Sequence, residues 1–374
     1  MTEETKISRL LIFLLRHRLK KCPTSNYFPI NEKKLLQTAI KNKVVFVLFH
    51  FLKCPICQKK ISQITIKKLH NFQKYSLCNS LLLEKEKNDI SRFLEQKKIK
   101  AVNLTDFSFY KKMIFHQQYI TGSDLDLLVE KSKLKKISTF LQKKGYSIKK
   151  KYIQEVTLSH PENKTIIDLH FLLAWPFTDD EFNILNKKSL YKLTKELLKN
   201  CQKDKKTHFY KLSKECFLFS LIIHFWTNDL LKGLRNLFDI IEFTTCYDKE
   251  VNWESFISLS GRYQAKNISL FTLFLGNQIF GLPFPLGLKK AAKIPFRTKV
   301  LLPYFSAEKI AIFPPLKVWH SQNKKFQKIK KDIFFIKIIL SEKLPIKRLL
   351  RPKILGFVLK AGLKHPQLPF LPNS

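Results

Sequence analysis

Three aspartates sit in or at the edge of short apolar runs: Asp124 and Asp126 in Gly122-Ser123-Asp124-Leu125-Asp126-Leu127-Leu128-Val129, and Asp168 in Ile166-Ile167-Asp168-Leu169-His170. On a strand, side chains two apart project from the same face about 6.5 Å from each other. Asp124 and Asp126 then present two carboxylates together while Leu125 and Leu127 turn inward. A lone acid inside Ile167-Asp168-Leu169 is costly unless it meets a metal, a hydrogen-bond partner or the strand edge. A hard cation such as Mg²⁺ takes oxygen ligands, and two such ions about 3.5 to 4 Å apart can clamp an attacking and a leaving oxygen. The competing reading is two solvated acids at a strand start and one salt-bridge partner.

The surrounding pattern sets these acids in a sheet between helical regions. Ile7 to Leu19, Glu32 to Lys41, Lys59 to Tyr75 and Leu81 to Lys98 carry apolar residues at three- and four-residue spacing, which predicts helices. Short runs with β-branched residues follow at 99–104, 125–129, 152–158 and 165–171, which predict strands. Between the second and third, Leu134, Ile137, Phe140 and Leu141 repeat with helical period, and Gly145 stands where a helix C-cap belongs. Pro161-Glu162-Asn163-Lys164 has the chemistry of a hairpin turn. Helices then return at 213–227, 230–245, 253–259 and 267–280. The expectation is an α+β chain with a mixed sheet and flanking helices. Its expected units are 1–95 (helical), 96–177 (α/β core), 178–300 (helical) and 301–374 (a basic tail).

Asp124 to Val129, then a helix, Gly145-Tyr146 and Ile167-Asp168-Leu169-His170 reproduce an ordered set of motifs. This region, roughly 95 to 280, resembles the polymerase-beta-like nucleotidyltransferases, and among them a bacterial group with Asp-Ile-Asp-Leu-Leu-Val and Ile-Asp-Leu-His. That group continues into a helical region with a histidine and Leu-Arg-x-Leu-x-Asp, matched here by His224 and Leu234-Arg235-Asn236-Leu237-Phe238-Asp239.

The resemblance implies that Asp124, Asp126 and Asp168 are catalytic and ligate Mg²⁺, or Mn²⁺ in its place. An acceptor hydroxyl would attack the α-phosphorus of a nucleoside triphosphate with pyrophosphate leaving. Ser123, Thr105, His170, His224, Arg235 and Asp239 are the expected nucleotide- or substrate-binding residues. The residues themselves also allow plainer roles: a packed His170, a core His224 bonded to Asp239 or backbone, and an Arg235–Asp239 pair one helical turn apart.

Related sequences carry a Lys-Gly or Gly-Ser turn before the acidic strand, where this chain has Asn103-Leu104-Thr105-Asp106, and an arginine where it has Ile120. A Cβ hinders close backbone approach to phosphate, and Lys111 and Lys112 are the candidate replacements for the lost positive charge. The alternative is a catalytically degenerate nucleotidyltransferase fold that binds a polyanion or an anionic membrane surface.

That alternative draws on charge. Lys and Arg number 69 against 29 acids, a formal net of +40, which attracts nucleic acid or anionic lipid unless it reflects compositional bias alone. From Lys317 to Lys364, fourteen Lys or Arg face only Asp332 and Glu342, interleaved with apolar residues. Seven cysteines form an odd, sparse set that suits a reducing compartment, and the apolar runs at 44–52 and 217–226 are shorter than the about 20 residues a membrane span needs. A cytoplasmic protein, peripheral to a membrane at most, is the expectation. Cys54-Pro55-Ile56-Cys57 with His70 and Cys78 could supply four zinc ligands. The second spacing is unconventional, however, and 44–75 otherwise reads as helix, so these cysteines are expected to be small buried residues.

Overall fold

The computed structural model describes residues 2–17, 25–104, 124–162, 165–174, 187–204, 207–227 and 234–291, together with Pro23, Phe109, Met113 and Leu185. Ser123, Thr105, Ile120, Lys111, Lys112, the end of the 161–164 turn and the basic tail lie outside the described residues.

In chain order the helices are α1 (Glu3–Arg16), α2 (Glu32–Lys41), α3 (His50–Lys53), α4 (Pro55–Gln58) and α5 (Gln63–Gln96), with a 3-10 turn at Val45–Phe49. Strands β1 (Ala101–Asn103) and β2 (Asp124–Val129), helix α6 (Leu134–Lys143), and strands β3 (Ser147–Lys151), β4 (Glu155–Ser159) and β5 (Ile166–His170) follow. The remainder comprises α7 (Lys187–Asn200), β6 (Gln202–Lys203), β7 (Tyr210–Lys211), α8 (Lys214–Thr227), α9 (Leu234–Tyr247), α10 (Trp253–Arg262), α11 (Lys266–Phe280) and α12 (Leu286–Ala291). The expected α+β class holds, and among the described residues the strands form one seven-stranded sheet ordered β3-β4-β5-β2-β1-β7-β6.

Two departures from the expected elements have local causes. The stretch 59–98 forms one 34-residue helix rather than two, because its polar middle, Ser76-Leu77-Cys78-Asn79-Ser80, contains no Gly or Pro to stop it. Segment 44–75 is not one helix. Pro55 supplies no backbone N–H and starts α4 anew, and Ser62 begins α5 by accepting a hydrogen bond from Thr65 N.

Alternation in the strands divides the molecule into two cores. Leu125, Leu127, Val129, Ile167 and Leu169 point to one face of the sheet, where Leu83, Ile90 and Leu94 of α5 and Ile137 and Leu141 of α6 cover them. Phe93 and Phe140 stack at 3.7 Å between these two helices. Leu128 and Val102 face the other way and join the larger helical core, which includes residues of α1, α2, α8, α9, α10 and α11. At about 50 Å, α5 is long enough to serve both cores, with Leu69 in the second and Leu83 in the first.

The helical core is closely packed where α9 crosses α11. A Cβ on Gly276 would overlap Ile241 Cγ1 and Cδ1. Gly276→Ala is therefore expected to lower stability by about 1 to 3 kcal/mol despite its better helix propensity. A chemical denaturation midpoint at or above that of the wild type would contradict this packing. Arg16 fixes α1 on the same unit by donating from Nε and Nη2 to the carbonyls of Phe280 and Ile279 at 3.0 and 2.9 Å, at the C-terminal end of α11 where cations are favoured.

Candidate active site

Strands β2 and β5 run parallel, and Asp126 is in direct register with Asp168 while Asp124 pairs with Ile166. Residues in register share a face, so Asp124, Asp126 and Asp168 all project from the side opposite Leu125, Leu127, Ile167 and Leu169. His170, two residues beyond Asp168, is on that same face. Strand β4 pairs antiparallel with β5 and adds Thr157 opposite Asp168 and Glu155 opposite His170. The three expected acids and His170 are thus brought together.

The carboxylates are held in unequal environments. His170 Nε2 is hydrogen-bonded to Asp126 Oδ1 at 3.1 Å, and its Nδ1 lies 3.0 Å from Glu155 Oε2 without hydrogen-bond geometry, so a buried imidazole sits between two acids. Burial opposes the charged form of His170, but Asp126 above all, with Glu155 and Asp168, more than offsets this and raises its pKa. Burial likewise works to raise Asp126, and the hydrogen bond and charge of His170 overcome it, holding Asp126 below the usual range. Asp168 is pushed up to about 6 by desolvation and by the charge of Asp126, against a Thr157 hydrogen bond. Asp124 is exposed at the strand start, yet the protein packed around it and the Asp126 charge raise its pKa too.

Asp168 Oδ1 is buried and has no hydrogen-bond partner among the described residues. Clustered acids that repel each other, one with an orphaned oxygen, form a donor set suited to a hard cation. The residues therefore fit the expected Mg²⁺.

Positive charge comes from residues distant in sequence. Both Lys43 and His224 act electrostatically on Asp124 and Asp126, favouring their ionised forms and working against the rise at Asp124. His224 is exposed on α8, which corrects the expectation of a packed core histidine: it occupies the solvent-facing position of an otherwise buried stretch. Lys43 follows the last turn of α2 in the left-handed region, φ 56. Lys43 N donates to Ile40 O and Val44 N to Ala39 O, the pair of bonds that closes a helix around a C′ residue.

Arg235 Nε donates to Asp239 Oδ2 at 2.8 Å, the expected one-turn pair. The guanidinium also lies 5.0 Å from the centre of the Phe46 ring, and Leu234 N donates to Asn42 Oδ1. Leu234 and Arg235 thus tie α9 to the segment around Lys43, with Asp239 holding the guanidinium. Sequence reasoning missed Lys43, Glu155 and Thr157. Only the last two left a signal, the alternation of Glu155, Thr157 and Ser159 along an expected strand.

A family model described as an uncharacterised nucleotidyltransferase matches residues 29–281. The chain belongs to this family. No curated protein and no solved structure matches it. The fold is accordingly of the nucleotidyltransferase type, and nucleotidyl transfer is the general function that membership supports. The matched span of this nucleotidyltransferase includes α2 and Lys43 as well as the acidic strands, so the family unit extends N-terminal to the sheet. Among the described residues, no helix is long and apolar enough to cross a membrane.

Proposed function

We propose that the chain is a Mg²⁺-dependent enzyme that transfers a nucleoside monophosphate from a nucleoside triphosphate to a hydroxyl acceptor. The observation that carries this reading is the in-register pair Asp126 and Asp168 on parallel strands, with Asp124 on the same face and an oxygen of Asp168 left unpartnered. Asp124, Asp126 and Asp168 would hold the cation, which when bound neutralises triphosphate charge and supports the leaving pyrophosphate. Asp168 draws the proton from the acceptor hydroxyl as the oxygen bonds to the α-phosphorus and the bond to pyrophosphate breaks. His170 positions Asp126 through its Nε2 contact. Lys43 and His224, which act electrostatically on Asp124 and Asp126, would supply the triphosphate with the positive charge that the missing glycine turn does not.

The test is calorimetric titration of each nucleoside triphosphate into the wild-type chain with and without Mg²⁺. Metal-dependent binding of one or more nucleotides supports the reading; no binding under any metal condition overturns it and leaves the degenerate, polyanion-binding alternative.

Lys43 offers a sharper check. A lysine at a left-handed C′ position costs on the order of 1 kcal/mol relative to glycine. Lys98, φ 50, closes α5 with the same pair of bonds. Lys43→Gly and Lys98→Gly are each expected to raise stability by about 1 kcal/mol, while only Lys43→Gly weakens nucleotide binding, by roughly tenfold for one lost phosphate-facing charge. Equal nucleotide affinities in the two variants would remove Lys43 from the site.

A further inference from the structure

His50, Cys54 and Cys57 each offer one ligand atom, and these three atoms lie within 4.8 Å of one another. The grouping follows from local backbone geometry. His50 opens α3 and Cys54 ends it, one helical turn later, with Cys54 N donating to His50 O at 3.0 Å. Cys54 is extended, φ −101 and ψ 108, and Pro55 starts α4, whose single turn brings Cys57 back beside Cys54. Both cysteines are buried at the edge of the helical core.

A second observation points at a ligand. His50 Nε2 is buried and has no hydrogen-bond partner among the described residues, a costly state for an imidazole that a bound group would relieve.

We infer that His50, Cys54 and Cys57 form a zinc site that clamps the broken helix between Val45 and Gln58. Two thiolates and an imidazole suit a borderline-soft, tetrahedral cation and not the hard cation expected at the aspartates. A water completes the shell. Binding takes the two thiol protons to solvent as the Zn–S bonds form. The set departs from the sequence expectation, which took Cys54 and Cys57 as small buried residues and set aside a zinc site with His70 and Cys78: those two are exposed on α5, and the third ligand is His50. The clamp lies in the same segment as Phe46, which packs against Arg235, so the metal fixes one wall beside Lys43 without touching the reacting groups.

The experiment is elemental analysis of the purified full chain, followed by Co²⁺ titration of chelator-treated protein. Expected are one zinc per chain and, with Co²⁺, a thiolate-to-metal charge-transfer band with tetrahedral d–d absorption. Cys57→Ser and His50→Gln should each lose that spectrum and bind the metal at least tenfold more weakly, while Cys78→Ser keeps both. The wild-type Co²⁺ spectrum does not depend on any variant folding. Protein that purifies without metal and gives no thiolate charge-transfer band overturns the site, as does a Cys54–Cys57 disulfide in freshly purified protein or a spectrum unchanged in Cys57→Ser.

Discussion

Asp126→Asn will weaken Mg²⁺-dependent nucleotide binding by on the order of 100-fold or more, and will lower the pKa of His170 below its ordinary value near 6.5. Both effects have one origin. Asp126 is the carboxylate kept most firmly ionised, because His170 Nε2 lies 3.1 Å from its Oδ1 and offsets the cost of burial. Replacing it with a neutral amide removes a ligand charge and also the partner that contributes most to keeping His170 protonated. Burial, the largest influence on His170, would then outweigh the remaining charges of Glu155 and Asp168 and drive it neutral. Calorimetry with Mg²⁺ and nucleotide reads the first effect, and a histidine titration by NMR reads the second. A His170 pKa that stays high in Asp126→Asn would show that Glu155, 3.0 Å from Nδ1, is its main partner. Unaltered nucleotide affinity would remove Asp126 from the metal set.

The acids were legible in the sequence because their signal is local. A D-x-D on a strand and a charge inside Ile167-Asp168-Leu169 are anomalies visible without tertiary structure, and the parallel pairing of β2 with β5 needed only a crossover between them. Helices with a clear apolar stripe, such as α2 and α10, were legible for the same reason. Strand β3 was not. Ser147-Ile148-Lys149-Lys150-Lys151 has almost no apolar alternation because it is an exposed edge strand, where lysines guard against pairing with another chain. Two-residue strands such as β6 and β7 carry no period at all.

What remained hidden is what long-range packing decides. Lys43 lies some eighty residues before Asp124 and reaches it because α2 docks on the helical core beside α9. His224 was misread because its neighbours Ile222, Ile223, Phe225 and Trp226 are all buried, and a chain-local view assigns it their environment. Glycine is also scarce, only 9 residues. Helix ends that glycine would usually mark are instead closed by Lys43, Lys98 and Gln264 in the left-handed region. The usual stop signals were therefore missing where α2, α5 and α10 end.

Asp168→Asn is expected to make the metal-free protein more heat-stable at pH 7 while abolishing its activity. The folded pKa of Asp168 is raised to about 6 by desolvation and the Asp126 charge, against about 3.9 in an unfolded chain. A raised pKa on an acid means that folding favours its protonated form. The penalty is absent below about pH 4, grows as pH rises from 4 to 6, and is fully present above 6. Two pKa units correspond to about 2 kcal/mol at most, since Asp168 retains some solvent access. An amide of the same shape escapes that penalty, so the variant should melt a few degrees higher at pH 7, and the gap should close by pH 4. Mg²⁺ should reverse the order. It binds the folded wild type and raises its melting temperature by mass action, but finds one carboxylate fewer in the variant. A variant less stable than wild type at pH 7, or one stabilised by Mg²⁺ to the same extent, would mean that Asp168 is satisfied by protein partners and takes no part in holding the cation.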